Sequence, residues 1–511
     1  MMRTLSAPTD ILAVLERLEQ AGFASYIVGG AVRSQLQGNV PHDYDVCTAA
    51  RPEQVRQICS EWKTVDTGLK HGTVTALTAS GPVEITTFRL EGQYTDCRRP
   101  DRVEFVTDIK ADLARRDFTI NAMAWSPIRG LCDPFGGQRD LQAGILRCVG
   151  DPKQRMTEDA LRILRALRFL SVYGFQMEPQ TRQAVLHCRS LLQHISAERI
   201  TDKLIRILCG PYVGQVLTEF SDVITEILPE LRPMIGFDQN NPHHSYTLWE
   251  HSVRAVEAIP PRPELRMAML FHDVGKSACY TEDSAGIGHF YGHAKHSVPL
   301  TASALQRLRL DNTLYDDILY LVRHHDTPLG LTPKTVRRKL AVHGERYSRA
   351  LLAIHKADCI GQGTAPENLT AFLKSEDLLE AVLEEEGRFK RKDLAINGND
   401  LIRWGMQGRE IGEMLAALFN YVLDDPTRNT RETLYEKFCA LQKEPNHMAF
   451  TVSGMSWKHC AQEVRQLLES LPSVEYANVD LPSGRVEVMG TQISPNEIRH
   501  VLADAGYKVA I

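Results

Sequence analysis

The hydrophobic pattern changes twice along the chain, and this change limits the folds that the chain can adopt. Up to about residue 139, helical segments alternate with strand-like runs, namely residues 25–28, 73–77 and 83–88. From residue 140 to about 440, apolar residues recur mainly at helical spacing. After residue 446 the pattern becomes strand, helix, strand, strand, helix and strand. The sequence therefore predicts a multidomain protein with an α+β head, an all-α middle and a C-terminal ferredoxin-like βαββαβ domain.

Composition narrows the class of protein without pointing to a function. The 511 residues suffice for about three to four domains at roughly 150 residues each. No run approaches the roughly 18 apolar residues that a membrane helix needs, so we expect no membrane partner. The formal net charge of −5 means that a polyanionic partner must be bound by local basic patches. Eleven scattered cysteines are typical of reduced thiols, and the N-terminal pattern is helical, so we expect a cytoplasmic protein.

Three carboxylates in the head have the spacing of a cation site. Asp43 and Asp45 are separated by one residue, and this spacing in a strand would place both on one face, where they can share divalent cations. Glu84 lies on a later predicted strand and could help to polarise an attacking hydroxyl. This arrangement is typical of metal-assisted phosphoryl or nucleotidyl transfer, with Mg²⁺ as the expected ion.

A glycine pair precedes these carboxylates. Gly29 and Gly30 follow a predicted strand and open a helix, so their backbone N–H groups can approach a phosphate closely. Arg33, one turn further on, can add a charged donor to the same phosphate. We therefore predict a phosphate-binding turn next to the carboxylates.

A later segment combines an acidic residue with a series of arginines. Residues 158–169 are predicted to form one helix, with leucines on one face and Arg162, Arg165 and Arg168 on another. Asp159 lies three residues before Arg162, so a carboxylate acceptor and a guanidinium donor would be displayed together.

The order of these motifs resembles that of a known enzyme family. Residues 26–418 resemble the bacterial class II tRNA nucleotidyltransferases, the CCA-adding enzymes of the polymerase-β-like superfamily. The motifs that carry the resemblance are Gly29-Gly30, Asp43-Tyr-Asp45, Lys70-His-Gly-Thr-Val74, Arg115-Arg-Asp-Phe-Thr-Ile-Asn-Ala-Met123 and Glu158-Asp-Ala-Leu-Arg162.

The resemblance implies an activity and assigns roles to particular residues. It implies that the chain adds or repairs the 3′-terminal CCA of tRNA from CTP and ATP, with release of pyrophosphate. Asp159 and Arg162 would read the edge of the incoming base, and Arg165 and Arg168 would contact the triphosphate. The other implied contacts are Arg116 to the nucleotide, Asp117 near the ribose, and Asp43 and Asp45 to Mg²⁺.

Two positions depart from the family pattern, and two other functions stay open. Ser34 stands where relatives usually carry Asp, and Cys97 stands where Gly is usual.

The loop at residues 89–103 is present, which favours addition of the terminal A, but an enzyme that adds only A stays an alternative. The other alternative is a phosphohydrolase with a non-functional transferase head.

A second set of potential metal ligands lies in the helical region. Neutral imidazoles and carboxylates are good ligands for Mn, Fe, Co, Ni or Zn, and a set of six can support two ions that share a hydroxide. The set resembles that of the HD superfamily of metal-dependent phosphohydrolases, some of which remove phosphates or open cyclic phosphates. The residues are His251, His272, Asp273, His293, His325 and Asp358.

The C-terminal segment resembles heavy-metal-associated domains. Those domains bind soft metals through two cysteines, but here Trp457 occupies the first cysteine position and only Cys460 is present. Metal binding would therefore need a further ligand, such as His459, Met455 or a group from a second chain. A structural or protein-contact module is the favoured alternative.

The predicted domains follow from these motifs. They are the nucleotidyltransferase head (1–139), a neck with base-recognition and RNA-binding helices (140–205), a helical body with the HD domain (206–365), a helical tRNA-binding tail (366–442) and a heavy-metal-associated-like domain (446–511). The oligomeric state does not follow from the sequence.

Overall fold

The computed structural model describes residues 5–68, 72–92, 102–242, 244–363, 366–384, 390–443, 446–455, 458–490 and 493–510. The chain divides into two compact units, the first formed by Met1–Leu329 and Arg346–Glu376 and the second by Gly330–Glu345 and Asp377–Ile511. Lys70, His71, Cys97 and Trp457, which the sequence analysis singled out, lie outside the described residues.

The first unit begins with a seven-stranded mixed sheet of order β3-β4-β5-β2-β1-β8-β9. Strands β2 and β5 pair in parallel, and the other pairs in this sheet are antiparallel. The elements of this region are α1 (Thr9–Gln20), β1 (Ser25–Val28), α2 (Gly30–Leu36), β2 (Asp45–Thr48), α3 (Pro52–Ile58), β3 (Lys63–Gly68), β4 (Thr73–Thr78), β5 (Gly81–Thr87), β6 (Arg89–Glu91), β7 (Val103–Phe105), α4 (Ile109–Ala114), a 3-10 helix (Thr119–Asn121), β8 (Ala124–Ser126), β9 (Gly130–Cys132), α5 (Gly137–Ala143) and β10 (Ile145–Leu146).

The central strand of this sheet is covered on both faces. Successive side chains of a strand point to opposite faces, and Ile27 belongs to one hydrophobic core whereas Tyr26 and Val28 belong to another. This explains why β1 is apolar at every position after its serine and is buried along its whole length. The sequence prediction of an α+β head is confirmed.

The rest of the first unit is almost entirely helical, as predicted. Only the two-residue ladders β10–β11, which is parallel, and β12–β13, which is antiparallel, interrupt the helices in the described part of this region. Its elements are α6 (Pro152–Glu158), α7 (Leu161–Tyr173), β11 (Gln176–Met177), α8 (Pro179–His187), α9 (Ala197–Leu208), α10 (Val213–Glu219), α11 (Ser221–Ile227), α12 (Leu248–Ala258), α13 (Pro263–Phe271), β12 (Thr281–Glu282), β13 (Gly288–His289), α14 (His293–Leu308) and α15 (Asn312–His324), with 3-10 turns at Arg189–His194, Pro229–Met234 and Lys276–Ala278. Two further helices, α16 (Pro333–Gln362) and α17 (Pro366–Glu384), belong partly to the first unit and partly to the second, and α16 is interrupted at Gly344, where φ is 70°.

The predicted single helix over residues 158–169 is wrong at its beginning. Helix α6 ends at Glu158, Asp159 adopts an extended conformation with φ −138° and ψ 102°, and α7 begins at Leu161. The Asp159 carboxylate accepts a hydrogen bond from the Leu161 backbone N–H at 3.1 Å, so it competes with helix formation at this point. Asp159 and Arg162 therefore do not share one continuous helical face.

The second unit contains two separate hydrophobic cores. One lies among the helices of residues 394–438, and the other lies in the C-terminal domain. The C-terminal strands form an antiparallel sheet of order β15-β16-β14-β17, so the predicted βαββαβ arrangement is confirmed. The elements are α18 (Gly398–Arg403), α19 (Glu410–Asp424), α20 (Arg431–Lys443), β14 (Asn446–Ser453), α21 (Lys458–Glu469), β15 (Tyr476–Asp480), β16 (Arg485–Gly490), α22 (Pro495–Asp504) and β17 (Lys508–Ala510), with 3-10 turns at Arg391–Asp393 and Pro426–Arg428.

None of the helices in the described ranges combines the length and the apolar character that a transmembrane span requires.

A close contact between α5 and the 3-10 helix can be tested by mutation. A Cβ atom on Gly137 would lie 2.2 Å from the backbone oxygen of Thr119 and 2.9 Å from Cγ of Met123. We expect Gly137→Ala to lower the free energy of unfolding by about 1–3 kcal/mol, because the backbone must shift to relieve this overlap. Urea unfolding followed by circular dichroism measures the change.

Gly412→Ala is the matched control for this variant. Gly412 lies in α19, and an added Cβ would meet no heavy atom within 4 Å. Alanine there should be neutral or should stabilise by about 0.5–1 kcal/mol. An unchanged unfolding curve for Gly137→Ala would contradict the packing described here.

Candidate active sites

The head and the following helices enclose a cavity of about 660 Å³ that collects most of the predicted nucleotide-binding residues. The predicted residues that line it are Gly29, Gly30, Arg33, Asp45, Arg116, Asp117, Asp159, Arg162, Arg165 and Arg168. The sequence analysis did not identify the other lining residues as contacts, namely Arg115, Asn121, Leu161, Phe169, Arg199 and Lys203. The structure thus brings separate motifs of the chain to one cavity.

The predicted carboxylates lie on and beside the parallel strand pair. Asp45 begins β2 and is directly opposite Glu84 of β5, whereas Asp43 precedes β2 and is not part of the strand. Asp45 is solvent-accessible, but dehydration by surrounding protein atoms raises the pKa of its carboxyl, and the charges of Glu84 and Asp43 raise it further while Arg116 opposes them. Three carboxylates therefore lie near one another, and a cation would relieve their repulsion.

This donor set fits Mg²⁺. The ion prefers oxygen ligands and is usually held by one or two carboxylates, with substrate phosphates and water completing its octahedron. In the described part of the chain, Asp43, Asp45 and Glu84 do not converge as a closed set of ligand atoms. An open set of this kind suits an ion that binds together with a nucleotide.

The glycine turn and Arg33 form one wall of the cavity. Gly29 has a φ of 65°, which favours glycine, and a Cβ there would lie 3.1 Å from Nη1 of Arg116. The guanidinium of Arg33 donates a hydrogen bond to Oδ1 of Asn121 and lies over the ring of Phe169, 5.0 Å from its centroid. These contacts hold the Arg33 guanidinium in place beside the glycine turn.

Asp117 and Arg165 form a partly buried ion pair in the cavity. The carboxylate accepts hydrogen bonds from Nε of Arg165 at 2.7 Å and from the side-chain amide of Asn121 at 2.9 Å. Burial alone would raise the pKa of Asp117, but Arg165 and Asn121 outweigh it and lower the pKa to about 2. Both charges are therefore present at neutral pH.

The two residues predicted to read the base have different partners. Arg162 donates hydrogen bonds to the Glu158 carboxylate at 2.7 Å and to the backbone oxygens of Arg155 at 3.0 Å and Arg115 at 3.2 Å. Asp159 lies 3.6 Å from Nη2 of Arg199. Burial raises the pKa of Asp159, and Arg199 opposes this shift. The two side chains line the same cavity.

Several arginine side chains of the cavity lie close enough to Arg168 to affect its charge. Burial lowers the pKa of Arg168, and the neighbouring charges of Arg165, Arg206 and Arg33 lower it further. A cluster of guanidinium groups that repel one another is a favourable environment for an anion such as a triphosphate. Arg199 and Lys203 were missed because they lie on α9, whose sequence carries no pattern that links it to the earlier motifs.

The predicted HD ligands form two connected groups. His251, His272, Asp273 and Asp358 make one group, and Asp273, His293 and His325 make the other, with the ligand atoms in each within 4.8 Å of one another. Asp273 belongs to both groups. The structure therefore brings all six predicted ligands together, and most of them line a cavity of about 380 Å³.

The imidazoles are oriented for metal binding. Nδ1 of His272 lies 2.7 Å from the backbone oxygen of Met269, and Nδ1 of His325 lies 2.7 Å from that of Val322. Such a bond makes Nδ1 the donor and leaves the Nε2 lone pair toward the other ligands. The Nε2 atoms of His293 and His325 are only 2.9 Å apart, and a shared cation would relieve this close approach. The residues therefore fit a metal centre.

The electrostatics of the cluster also favour bound cations. Burial alone would lower the pKa of His251, but contacts with Asp273 and Asp358 raise it to about 9. For His325 burial is again opposed by carboxylates, here Asp273 and Asp326, and the pKa rises to about 10. The carboxylates therefore create a strong demand for positive charge within the cluster.

Asp326 is a ligand candidate that the sequence analysis did not identify. Its carboxylate oxygens lie 3.3 Å from Nε2 of His293 and 3.2 Å from Nε2 of His325. Its position directly after His325 in the sequence was the available signal. Lys276 also contacts the cluster, because Nζ lies 2.7 Å from Oδ2 of Asp273.

Cys460 is not brought into a metal-binding group. It is partly buried beside Tyr507, whose hydroxyl donates a hydrogen bond to Glu463 at 2.8 Å. Among the residues that the structure describes in this domain, no three potential metal ligands converge. Trp457 is not one of the described residues. Metal binding by Cys460 stays a prediction.

Family models match four parts of the chain. They are the poly A polymerase head domain at residues 25–147, the probable RNA- and SrmB-binding site of polymerase A at 174–234, the HD domain at 243–360 and the heavy-metal-associated domain at 449–508. The nucleotidyltransferase head and the HD domain both imply dependence on divalent metal ions.

The chain is similar to several CCA-adding enzymes, over different fractions of its length. The CCA-adding enzyme of Anoxybacillus flavithermus is 32% identical over 439 residues, which are 85% of this chain and 98% of that enzyme. The CCA-adding enzyme of Lactobacillus helveticus is 46% identical over 220 residues, but this match spans only 43% of this chain and 55% of that enzyme. The crystal structure of the Bacillus stearothermophilus CCA-adding enzyme in complex with CTP covers 85% of this chain and is itself covered to 99%, with a TM-score of 0.62 and 27% identity.

The fold and the arginine-lined cavity beside Asp45 define a nucleotidyltransferase with an HD domain in the same chain. The Anoxybacillus match identifies a particular family within this class, because it covers most of both chains at 32% identity. The chain belongs to the family of CCA-adding enzymes.

Proposed function

We propose that this chain adds or repairs the 3′-terminal CCA of tRNA, using CTP and ATP and releasing pyrophosphate. The single observation that carries the proposal is the cavity that gathers Asp45, the Asp159 and Arg162 side chains and the arginine cluster. Relatives support the same substrates, because solved structures of CCA-adding enzymes hold CTP, ATP and, in the Thermotoga maritima enzyme, tRNA.

Different residues of the cavity would contact different parts of the nucleotide. The guanidinium groups of Arg33, Arg165 and Arg168 neutralise the triphosphate, and Gly29 keeps the wall open to it. Asp159 offers acceptor oxygens to a base edge, and Arg162 offers donors. Arg162 is held by acceptors from three other residues, so its position does not depend on the nucleotide.

We propose that Asp43 and Asp45 hold Mg²⁺ and that Glu84 acts beside them. Bound Mg²⁺ would neutralise charge on the reacting phosphate. The transfer itself is attack of the RNA 3′-hydroxyl on the α-phosphate, which forms one phosphodiester bond and breaks the bond to pyrophosphate. Glu84, directly opposite Asp45 in the neighbouring strand, helps to polarise the attacking hydroxyl.

A second activity is favoured by the two converging ligand groups around Asp273. We propose that these residues bind two transition-metal ions, from the set Mn, Fe, Co, Ni and Zn, and hydrolyse phosphate esters. Removal of a phosphate from a damaged tRNA end would prepare that end for the transferase. Both activities would then serve one pathway of tRNA maturation and repair, for which the cytoplasm is the expected location.

The proposed domain roles follow the sequence boundaries. The head (1–139) would carry the chemistry, the neck (140–205) the base-reading residues and the body (206–365) the HD centre. The tail (366–442) would bind tRNA, and the C-terminal domain (446–511) would serve as a structural or protein-contact module. Support for the neck is that Asp159, Arg162 and Arg199 line the cavity of the transferase.

The transferase proposal is tested by extension of three tRNAs, one without CCA, one ending in CC and one complete. With CTP and ATP the wild type should complete the first two and leave the third unchanged. Asp43→Asn should reduce extension on the order of 10³-fold, because it removes a charge that holds the metal. Denaturing gels or mass spectrometry of the products measure the result.

Asp316→Asn is the matched control, because Asp316 is an exposed carboxylate on α15 and does not line the cavity. It should extend tRNA like the wild type. Extension of only the tRNA ending in CC would indicate an A-adding enzyme instead. No extension by the wild type would contradict the transferase proposal and favour the phosphohydrolase alternative.

The HD proposal is tested by metal content and hydrolysis measured on the same samples. After loading with Mn²⁺, Co²⁺ or Ni²⁺ and dialysis, the wild type should retain about two ions per chain and release phosphate from glycerol 2-phosphate. Asp273→Asn should lose both ions and the hydrolysis, because Asp273 belongs to both groups, whereas Asp358→Asn should lose one ion. Full metal content in Asp273→Asn would rule out the shared-ligand arrangement.

A further inference from the structure

One buried amide lies between two charged groups of the transferase cavity. Asn121, in the 3-10 helix of the head, is only 7% exposed to solvent. Its Oδ1 accepts a hydrogen bond from the Arg33 guanidinium, and its Nδ2 donates one to Oδ1 of Asp117 at 2.9 Å. Oδ2 of Asp117 in turn accepts one from Nε of Arg165 at 2.7 Å. We call this continuous chain, from Arg33 through Asn121 and Asp117 to Arg165, the Asn121 bridge.

The chemistry of its neighbours explains why an amide occupies the centre of the bridge. A guanidinium offers only donors and an ionised carboxylate offers only acceptors, so the group between them must present an acceptor to one and a donor to the other. Burial raises the pKa of Asp117, but Arg165 and Asn121 together lower it to about 2, so the carboxylate is ionised at neutral pH. The side chain of Asn121 therefore makes two hydrogen bonds to charged groups, which are stronger than bonds between neutral groups.

Arg33 is held by the bridge and by aromatic rings, yet it keeps one donor for a ligand. Its guanidinium carbon lies 5.0 Å from the ring centroid of Phe169 and 5.6 Å from that of Tyr173. Its Nε is buried and has no hydrogen-bond partner within the part of the chain that the structure describes. A buried donor without an acceptor costs free energy. Because Arg33 lines the cavity, a phosphate oxygen bound there would supply the acceptor.

The bridge joins separate elements of the first unit. Arg33 lies on α2, Asn121 ends the 3-10 helix, and Arg165 lies on α7. The 3-10 helix also contacts the glycine turn that opens α2, because the backbone N–H of Gly29 donates to the Met123 oxygen at 3.3 Å. A shift of either arginine alone would break a hydrogen bond of the bridge, so the two guanidinium groups keep a fixed separation.

We propose that Asn121 is a positioning residue that makes Arg33 and Arg165 bind the triphosphate of the incoming nucleotide as one unit. The proposal rests on the transferase activity proposed above and adds a residue to its binding machinery. Two guanidinium groups at a fixed separation can contact different oxygens of one triphosphate at the same time. Without the amide, each arginine would have to find its phosphate separately.

The bridge acts on nucleotide binding through preorganisation. Ordering a long side chain on binding costs conformational entropy, and a side chain that is already held loses less of it. Arg33, Asp117 and Asn121 are all buried, so water competes little for their hydrogen bonds. Asn121 acts through the two arginines and not on the reacting atoms, which makes it a positioning residue.

The test measures addition of a single A to a tRNA ending in CC by the full-length protein with Mg²⁺. Asn121→Leu keeps the approximate size of the side chain and removes both hydrogen bonds. It should raise KM for ATP roughly 10- to 100-fold, because two bonds to charged groups are lost. KM for tRNA should be unchanged, because the bridge lies in the cavity proposed for the nucleotide.

Two further variants control for effects on folding. Asn121→Asp keeps the acceptor for Arg33 but places a second carboxylate against Asp117, and it should also raise KM for ATP roughly tenfold or more. Asn312→Leu replaces an exposed asparagine at the first position of α15 and should retain the KM values of the wild type. Circular dichroism identifies a variant that does not fold, and if Asn121→Leu is one, Asn121→Asp carries the comparison.

A double-mutant cycle separates the bridge from a general structural role. Arg33→Met should raise KM for ATP less in the Asn121→Leu background than in the wild type, by a factor of roughly 2 to 100, because residues of one hydrogen-bond network are coupled. Lys203 lines the same cavity but pairs with Asp202. The effect of Lys203→Met on KM should therefore be the same in both backgrounds, within about twofold.

The outcomes separate the bridge from the transferase activity itself. An unchanged KM for ATP in the Asn121 variants, an equal rise of KM for ATP and for tRNA, or an equal effect of Arg33→Met in both backgrounds would each overturn the bridge. Absence of extension by the wild type would contradict the transferase proposal. In that case, equilibrium dialysis of radiolabelled ATP with Mg²⁺ decides: weaker binding to Asn121→Leu than to Asn312→Leu supports the bridge, and equal binding overturns it.

Discussion

Charged groups held close together in poorly hydrated surroundings are the constraint on which both sites depend. In the transferase cavity, Arg33, Arg165 and Arg168 lie close together, and mutual repulsion contributes to the lowered pKa of Arg168. In the HD cluster, carboxylates raise the pKa of His251 and of His325 well above the ordinary value for histidine. Removing such groups from water costs stability, and clustered ionisable groups with shifted pKa values are the expected signature of binding sites.

The fold offsets part of this cost by placing aromatic rings and backbone oxygens in contact with the charged groups. The Arg33 guanidinium lies over aromatic rings, and Arg162 donates to two backbone oxygens that would otherwise need other partners. Three of the HD imidazoles, those of His272, His293 and His325, donate from Nδ1 to nearby backbone oxygens. Stacked rings and backbone acceptors thus fix the side chains before substrate or metal arrives, which limits the reorganisation needed during catalysis.

The sequence predicted the elements that have a clear period and the residues that lie in recognisable motifs. Strand β1 was predicted at its observed bounds, and the six residues predicted as HD ligands lie together in the structure, although their role as metal ligands stays a prediction. The break before α7 was missed because a side-chain contact, from Asp159 to the Leu161 N–H, overrides a helical hydrophobic pattern. Arg199 reaches its site through tertiary packing, which no periodicity reveals, whereas Asp326 was missed although it directly follows His325.

We propose that protein side chains select the incoming nucleotide in place of a template. This is measured by single-nucleotide incorporation into tRNA by Asp159→Ala, with each of CTP, ATP, UTP and GTP, and with Asp316→Ala as the control. We expect the variant to lose roughly 10- to 100-fold of the preference for CTP and ATP, since one base-edge contact contributes about 1–3 kcal/mol of discrimination. An active variant with unchanged preference would contradict the assignment of Asp159 to base selection.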